Sequence, residues 1–219
     1  MTLARRAVAD GLGTALLLAV VVGSGIMGEH LSGGNAALAL LANSLATGFA
    51  LVALILSFGS RSGAHFNPLV TAVLAARKEF PAREILPYVA SQFAGALLGV
   101  LAAHAMFDVP LLQIGEKARF GPAQWWSEIV ATFGLVFVVL SCDRKSAPYA
   151  IGAYIAAAYW FTASTSFANP AVTLARGLTA TFSGIRPEDI AGFVLAQLTG
   201  AGLALLADRY FFDGKKGAQ

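Results

Sequence analysis

The chain has 219 residues, of which 57% are hydrophobic and 12% are charged, and its formal net charge is +3 at pH 7. Soluble domains carry about 25% charged residues, so this composition excludes an ordinary soluble protein and indicates an integral membrane protein. The small net charge argues against a nucleic-acid partner. The single cysteine excludes an intramolecular disulfide. The three histidines do not cluster in the sequence, so we expect no metal site and no cofactor.

The apolar segments predict six membrane spans and two shorter helices. A helix needs about 20 apolar residues to cross a bilayer. The first apolar run follows Arg5 and Arg6 as in a signal peptide, but no small-residue cleavage site follows it, so we expect a retained span. Six segments are long enough to span: roughly 7–28, 36–58, 85–107, 124–142, 147–167 and 188–208.

Two further apolar pieces, roughly residues 67–77 and 169–182, are too short to cross a bilayer. Each begins with an Asn-Pro pair, and proline is tolerated in the first turn of a helix because its missing N–H has no partner there. We therefore predict two half-helices that enter the membrane without crossing it.

The basic residues predict the orientation. With the N-terminus inside, the outside holds four of the fifteen lysines and arginines, a clear positive-inside bias. An even number of spans then places both termini in the cytoplasm. The inside residues are Arg5, Arg6, Arg61, Arg77, Lys78, Arg83, Arg144, Lys145, Arg209, Lys215 and Lys216, and the outside residues are Lys117, Arg119, Arg176 and Arg186.

The chain repeats its own pattern. A DxxxT motif that begins at Asp10 opens the first span, and ExxxT, which begins at Glu128, opens the fourth. HFNPLVTAV follows the second span and FANPAVTLA the fifth, while SQFAGALLG and AQLTGAGLA lie in the third and sixth. Three spans separate each pair, and an odd number gives the two copies opposite orientations. We therefore predict a single domain, residues 1–219, built from inverted repeats at about 5–107 and 124–210.

The two half-helices are predicted to meet near the bilayer centre. Irregular backbone at membrane depth is tolerated where it is buried in protein or lines a wet cavity. The N-terminus of each half-helix carries about half a positive charge. The amides of Asn67 and Asn169 can be held by the backbone while their N–H groups face a lumen, and carbonyls of residues 63–65 and 165–167 can serve as acceptors. This arrangement suits a permeant oxygen atom and opposes a cation.

These features resemble the aquaporin, or major intrinsic protein, family over about residues 5–210. SGAHFNPLVT is close to the family's first signature, with Leu69 in place of an alanine, and the second signature matches fully. The resemblance implies an all-α membrane protein with six transmembrane helices plus two re-entrant half-helices. It further implies a homotetramer in membrane lipid, with a pore for water or small neutral solutes in each protomer. The predicted pore constriction is Asn67, Pro68, Leu69, Asn169, Pro170 and Ala171.

The resemblance also locates an outer selectivity filter. In most family members an arginine directly follows the second triplet, and here Val172 takes its place. Spacing from the Asn-Pro pairs assigns two further filter positions to Thr47 and Ser166. The fifth-span position falls on Ala157 by the same count, or on Tyr159 when the span is aligned from its start at APYAIG.

Four further residues are candidates for a pore or structural role. Asp10 and Glu128 are ionisable groups in predicted spans, which suggests function by default. Their twin positions and the family precedent favour a structural role in holding half-helix or loop N–H groups. His65 is predicted to line the inner pore through its carbonyl or ring. Arg176, one helical turn after Val172, can reach the pore or cap outer-loop carbonyls.

The small, uncharged filter predicts a passive channel for neutral or weakly anionic solutes larger than water. NPAVTLAR resembles the bacterial branch associated with arsenic-resistance genes, which implies arsenite or methylated arsenicals as solutes and a bacterial inner membrane as location. A glycerol or polyol facilitator and a water channel remain alternatives, and a secondary transporter is the alternative of a different class. The sequence contains no nucleophile–base pair that would indicate an enzyme.

Overall fold

The computed structural model describes residues 1–212, and within that range the chain forms eight α-helices and no strand. The prediction of an all-α protein with two short helices is confirmed. Lys215 and Lys216, two of the basic residues assigned to the inside, lie outside the described residues. The helices are α1 (Leu3–Leu31), α2 (Ala36–Ser62), α3 (Pro68–Ala76), α4 (Ile85–Met106), α5 (Pro122–Ser141), α6 (Ala147–Phe161), α7 (Pro170–Arg176) and α8 (Pro187–Phe212).

Five helices, α1, α2, α4 with its preceding turn, α5 and α8, are long and apolar enough to cross a membrane by length and composition. The sequence predicted α6 over 147–167, but the helix has 15 residues, or about 22 Å of length. It ends early because Thr162 takes an extended conformation and starts the stretch that leads to α7. The predicted second half-helix, 169–182, likewise ends at Arg176.

Both half-helices, α3 and α7, begin for the same local reason. The Oδ1 atom of Asn67 accepts a hydrogen bond from the N–H of Leu69 at 2.9 Å. The Oδ1 atom of Asn169 accepts one from Ala171 at 3.0 Å. Asparagine is a strong N-cap residue because its side chain satisfies N–H groups that have no partner in the first helical turn. Proline occupies the first position of each helix, where it loses no hydrogen bond.

The helix pairs that pack together correspond between the two halves of the chain. Helix α1 packs on α2 and α4, as α5 packs on α6 and α8. Half-helix α3 lies against α4 and α8, and half-helix α7 likewise lies against α8 and α4. The two halves also meet where α2 packs on α6 and where α3 packs on α7. We call the end of the bundle where α1 begins and α8 ends the terminal end, and the other the opposite end.

Glycines allow the closest helix contacts. A Cβ atom on Gly95 of α4 would lie 2.0 Å from the carbonyl oxygen of Gly11 in α1. A Cβ atom on Gly200 of α8 would lie 2.4 Å from the carbonyl oxygen of Ile129 in α5. Small residues let helix backbones approach in membrane proteins, so Gly95 brings α1 close to α4 and Gly200 brings α5 close to α8. Helices α4 and α8 are the ones that pack against the half-helices α3 and α7.

The segment that precedes each half-helix has a strained backbone. Ala64 and Phe66 have φ of 52° and 51°, and Ser166 and Ala168 have φ of 50° and 48°. Left-handed conformations cost about 1–2 kcal/mol for a residue with a Cβ atom. Because they are unfavourable locally, they require compensating contacts elsewhere.

Two buried carboxylates provide these contacts. Asp10 accepts hydrogen bonds from the N–H groups of His65 and Phe66, both at 3.0 Å, and from the amide of Gln92 at 2.7 Å. Its Oδ1 atom also accepts the hydroxyl of Ser62. Each carboxylate oxygen of Asp10 therefore has donors, which stabilise its charge away from water.

Glu128 repeats the arrangement in the second half. It accepts hydrogen bonds from the N–H groups of Phe167 and Ala168, both at 2.9 Å, and from the amide of Gln197 at 2.6 Å. The same Gln197 amide also donates to the hydroxyl of Thr173 in α7. The carboxylate thus ties α5, α7 and α8 to the strained segment.

We expect Gly95→Ala to lower the apparent melting temperature of the protein in detergent. The added methyl group would overlap the α1 backbone, and overpacking typically costs about 1–3 kcal/mol. Gly202→Ala is the matched control because a Cβ atom added there would have no heavy atom within 4 Å, so it should keep or raise the melting temperature. Equal effects of the two substitutions would contradict the close-contact role of Gly95.

We expect Glu128→Gln to destabilise the protein while Glu116→Gln does not. The new NH₂ group would face one of three donors and leave it without an acceptor, at about 1–3 kcal/mol. Glu116 is exposed, so the same substitution there changes only surface charge. Thermal unfolding followed by tryptophan fluorescence compares the two variants, and a Glu128→Gln protein as stable as the wild type would refute this role.

Candidate functional site

A cavity of about 760 Å³ extends from the terminal end of the bundle, through the point where α3 and α7 meet, to Arg176 near the opposite end. Residues that are far apart in the sequence line it. The predicted site residues that line it are Thr47, His65, Asn67, Tyr159, Ser166, Asn169, Val172 and Arg176.

The two asparagines bind each other's segments across the middle of the cavity. The Nδ2 atom of Asn67 donates to the carbonyl of Ala168 at 2.8 Å, and the Nδ2 atom of Asn169 donates to the carbonyl of Phe66 at 2.8 Å. An amide NH₂ group has two hydrogens, so each asparagine keeps a second one for a molecule in the cavity. These cross-bonds also fix the two half-helix N-termini relative to each other.

The remaining members of the two triplets, which were also predicted at the constriction, do not line the cavity. Leu69 packs with Val136 and Ala201, from α5 and α8, because its Cβ atom lies on the side of α3 that faces those helices. Ala171 is fully buried in the main apolar cluster. Pro68 and Pro170 are likewise buried and act through the backbone by starting the helices.

The residues whose carbonyls were predicted as acceptors, 63–65 and 165–167, line the cavity except for Thr165. Residues 63–66 line it on one side, and Ser166 and Phe167 line it on the other. Thr165 does not line the cavity, and its hydroxyl accepts a hydrogen bond from Arg119 at 3.4 Å.

Of the two candidates for the fifth-span filter position, Tyr159 lines the cavity and Ala157 does not. The hydroxyl of Tyr159 lies 3.2 Å from the Oγ1 atom of Thr47, and both side chains are buried. Ala157 is exposed on α6, so Tyr159 is the candidate that the geometry supports. Residues two positions apart in a helix are separated by about 200° around its axis, which puts Ala157 and Tyr159 on nearly opposite faces.

Ser166, which precedes α7, and Val172, in its first turn, also line the cavity. Ser166 is 3% exposed, and its hydroxyl has no hydrogen-bond partner among the described residues. Buried hydroxyls are normally paired, so this one is available to a molecule in the cavity. Val172 is 6% exposed and packs into the main apolar cluster while its surface lines the cavity.

His65 lies on the terminal side of the asparagines. Its Nδ1 atom is 3.0 Å from the hydroxyl of Thr71. Its ring contacts the rings of Phe80 and Tyr88, with centroids 4.9 and 5.3 Å away. The ring is therefore held by its neighbours on one side while the residue borders the cavity.

Arg176 combines the two roles that the sequence left open. Its Nε atom donates to the carbonyl of Ser183, in the connection between α7 and α8. The residue is 2% exposed and lines the cavity, and its guanidinium carbon lies 3.4 Å from the centre of the Phe167 ring. The side chain thus caps a loop carbonyl and also places a positive charge beside the cavity.

The ring of Phe167 and the role of Arg119 were missed by the sequence reasoning. The guanidinium carbon of Arg119 lies 4.7 Å from the Phe167 centroid. Its nitrogens donate to the carbonyls of Ser164 and Gly184, both at 2.9 Å. Burial lowers the pKa of Arg119 to about 10. These contacts join connections that are distant in sequence, so no local pattern could have signalled them.

Comparisons with known proteins agree with this architecture. Residues 1–159 match the family described as Major intrinsic protein. The chain is 55% identical over 214 residues to Aquaglyceroporin AqpS of Rhizobium meliloti (strain 1021), covering 96% of this chain and 91% of that protein. It is 31% identical over 212 residues to Aquaporin NIP2-3 of Zea mays, and the match covers 91% of this chain and 68% of that protein.

Among solved structures, the aquaglyceroporin from Plasmodium falciparum matches with a TM-score of 0.74, covering 99% of this chain and 98% of that one at 18% identity. At this identity the likeness shows a shared fold. The sequence matches and the shared fold together identify an integral membrane channel protein rather than an enzyme. The chain belongs to the major intrinsic protein family.

Proposed function

We propose that this channel conducts small neutral solutes larger than water, and that metalloid acids such as arsenite or methylated arsenicals are among them. The observation that carries the proposal is that Thr47, Tyr159, Ser166 and Val172 line the cavity without a charged side chain among them. We propose that these four residues form its selectivity ring. Pore diameter and the hydrogen-bond groups of the lining determine selectivity in such channels. Tyr159 is the bulky member of the four, and the other three are smaller.

The lining can replace the hydration of a polar solute along the cavity. The free hydroxyl of Ser166 can donate to or accept from a solute hydroxyl, and Val172 offers an apolar wall to its carbon or methyl groups. Further in, Asn67 and Asn169 each offer one amide hydrogen to a solute oxygen. The half-helix N-termini beside them carry positive partial charge, which opposes cations and protons that approach the centre.

The metalloid and glycerol alternatives draw on different observations. NPAVTLAR resembles the family branch associated with arsenic-resistance genes, which favours arsenite or methylated arsenicals. The name of the 55% identical relative, an aquaglyceroporin, favours glycerol and water. A single ring of small, uncharged groups suits all of these neutral solutes, so the proposal includes glycerol as the main alternative solute and water as a further one.

The membrane setting is proposed from the positions of the charges and from the family. Arg6, Arg61 and Arg144 border the cavity at the terminal end, whereas Lys117 and Arg186 belong to connections at the opposite end. We propose that the terminal end faces the cytoplasm of a bacterial cell, with the channel in the inner membrane. In line with the family resemblance, we also propose two inverted repeats in one domain and assembly as a homotetramer.

We expect purified protein in proteoliposomes to conduct both glycerol and arsenite in stopped-flow assays. Val172→Arg should lower these fluxes by about tenfold or more, which corresponds to about 1.4 kcal/mol of added barrier, because a long cation would fill the ring. Val172→Met is the matched control, since it adds length without charge. Water conduction with exclusion of both glycerol and arsenite by the wild type would contradict the proposed solute class.

Passive conduction also predicts a flux that rises linearly with solute concentration and ignores pH and sodium gradients. The carboxylates of Asp10 and Glu128 are held by backbone N–H groups, which supports a structural role for both. Protein-free liposomes provide the baseline for the measurement. Accumulation of solute against its gradient, driven by protons or sodium, would instead support a secondary transporter.

A further inference from the structure

We propose that Arg176, Phe167 and Ser166 form an oxyanion-binding subsite at the opposite end of the cavity, for a small singly charged oxyanion that carries an apolar group. The inference rests on the proposed function in that the subsite lies on the same solute path. In this subsite Arg176 recognises the negative charge of the ligand, which the apolar side chain of Val172 cannot do.

The charge of Arg176 is not neutralised by an ion pair. Among the described residues, no carboxylate oxygen lies within 4 Å of its guanidinium nitrogens, and its hydrogen bond to Ser183 uses Nε. An arginine side chain offers five N–H donors in a planar fork. The terminal nitrogens therefore remain for a ligand, in the geometry that suits two oxygens of one anion.

The surroundings of Arg176 are positive rather than compensating. Arg119 lies over the same Phe167 ring and is paired with carbonyl oxygens. Lys117 lies over the ring of Phe182 and donates to its carbonyl at 3.3 Å. Partial burial, and then the charges of Arg119 and Arg176, lower the pKa of Lys117, against the opposing charge of Glu29. Arg119 and Lys117 thus add positive charge near Arg176 without lining the cavity themselves.

The two buried carboxylates on this side, Asp189 and Glu128, are already engaged. Asp189 accepts the backbone N–H of Arg119 at 2.7 Å and pairs with Arg186 at 3.1 Å. Glu128 is occupied by the backbone donors of the strained segment before α7. A buried cation without an anionic partner is costly, because desolvation removes its hydration without a counter-charge. A bound anion would lower this cost, whereas a neutral solute would lower it less.

A second, independent feature points to the same ligand. The hydroxyl of Ser166 is buried on the cavity wall and lacks a hydrogen-bond partner in the described part of the chain. It can donate to a third oxygen of the ligand. Phe167 and Val172 also line the cavity and add apolar surface to its wall. Charge donor, hydroxyl donor and apolar surface together fit an oxyanion that has a methyl or similar group.

Methanesulfonate is a suitable probe, because it remains anionic at neutral pH and combines three oxygens with one methyl group. Dimethyl sulfone is its neutral counterpart of similar size, and gluconate is a larger anion that lacks an apolar group. Glycerol flux into proteoliposomes is measured with each present. We expect about 10 mM methanesulfonate to lower the flux about twofold or more, as for a millimolar site, and the two controls to have little effect.

Variants then test the residues, with inhibition expressed relative to each variant's own uninhibited flux. Arg176→Gln should abolish the inhibition, Arg176→Lys should keep part of it, and Ser166→Ala should weaken it severalfold. Arg209→Gln is the matched control, because Arg209 is exposed near the end of α8. Equal inhibition by methanesulfonate and dimethyl sulfone, or inhibition that persists in Ser166→Ala and Arg176→Gln, would overturn the subsite.

A variant that does not fold and a wild type that conducts no glycerol each call for a different measurement of the subsite. If Arg176→Gln does not fold, Ser166→Ala and Arg176→Lys decide the question. If the wild type conducts no glycerol, the proposed solute class fails, and thermal stabilisation of the detergent-purified protein tests the subsite instead. A melting temperature raised by methanesulfonate more than by dimethyl sulfone supports the subsite, and equal shifts refute it.

Discussion

The bond between a buried carboxylate and a strained backbone segment is the constraint on which the rest of this structure depends. Asp10 and Glu128 each hold two consecutive N–H groups in a segment with left-handed, non-glycine residues. Without these acceptors the segment would relax, and its N–H groups would be unpaired in an apolar environment. Held in place, the segments direct the two half-helices toward each other and bring Asn67 and Asn169 to the middle of the cavity.

The two halves share this framework and differ in chemistry. Seven residues after the asparagine, α3 has Leu74 where α7 has Arg176. Similarly, His65 in the first half takes the place of Phe167 in the second, relative to the same asparagines. A shared framework places these side chains at corresponding points of the cavity. The two ends of the path therefore offer a solute different groups: an imidazole among aromatic rings at one end and a guanidinium over a ring at the other.

The positive charge on the cavity wall near the opposite end comes from Arg176. Val172 leaves the wall after Asn169 apolar, and Arg176 places a cation one turn further along α7, where Nε is anchored to a loop carbonyl. The hydroxyl pair of Thr47 and Tyr159 lines the same cavity. This part of the cavity therefore combines a guanidinium, the free hydroxyl of Ser166 and the apolar surface of Val172.

The sequence by itself determined the membrane class, the succession of long and short helices, and the pairing of the two halves, because hydrophobic length and Asn-Pro caps act locally. It also located the asparagines, Thr47, Ser166 and Val172 on the cavity. The tertiary structure decided that Tyr159 lines the cavity and that Ala157 and Leu69 do not. It also brought Arg119 and Arg176 to Phe167. Helix rotation and contacts between distant connections fix those positions, and neither leaves a periodic or local signal in the chain.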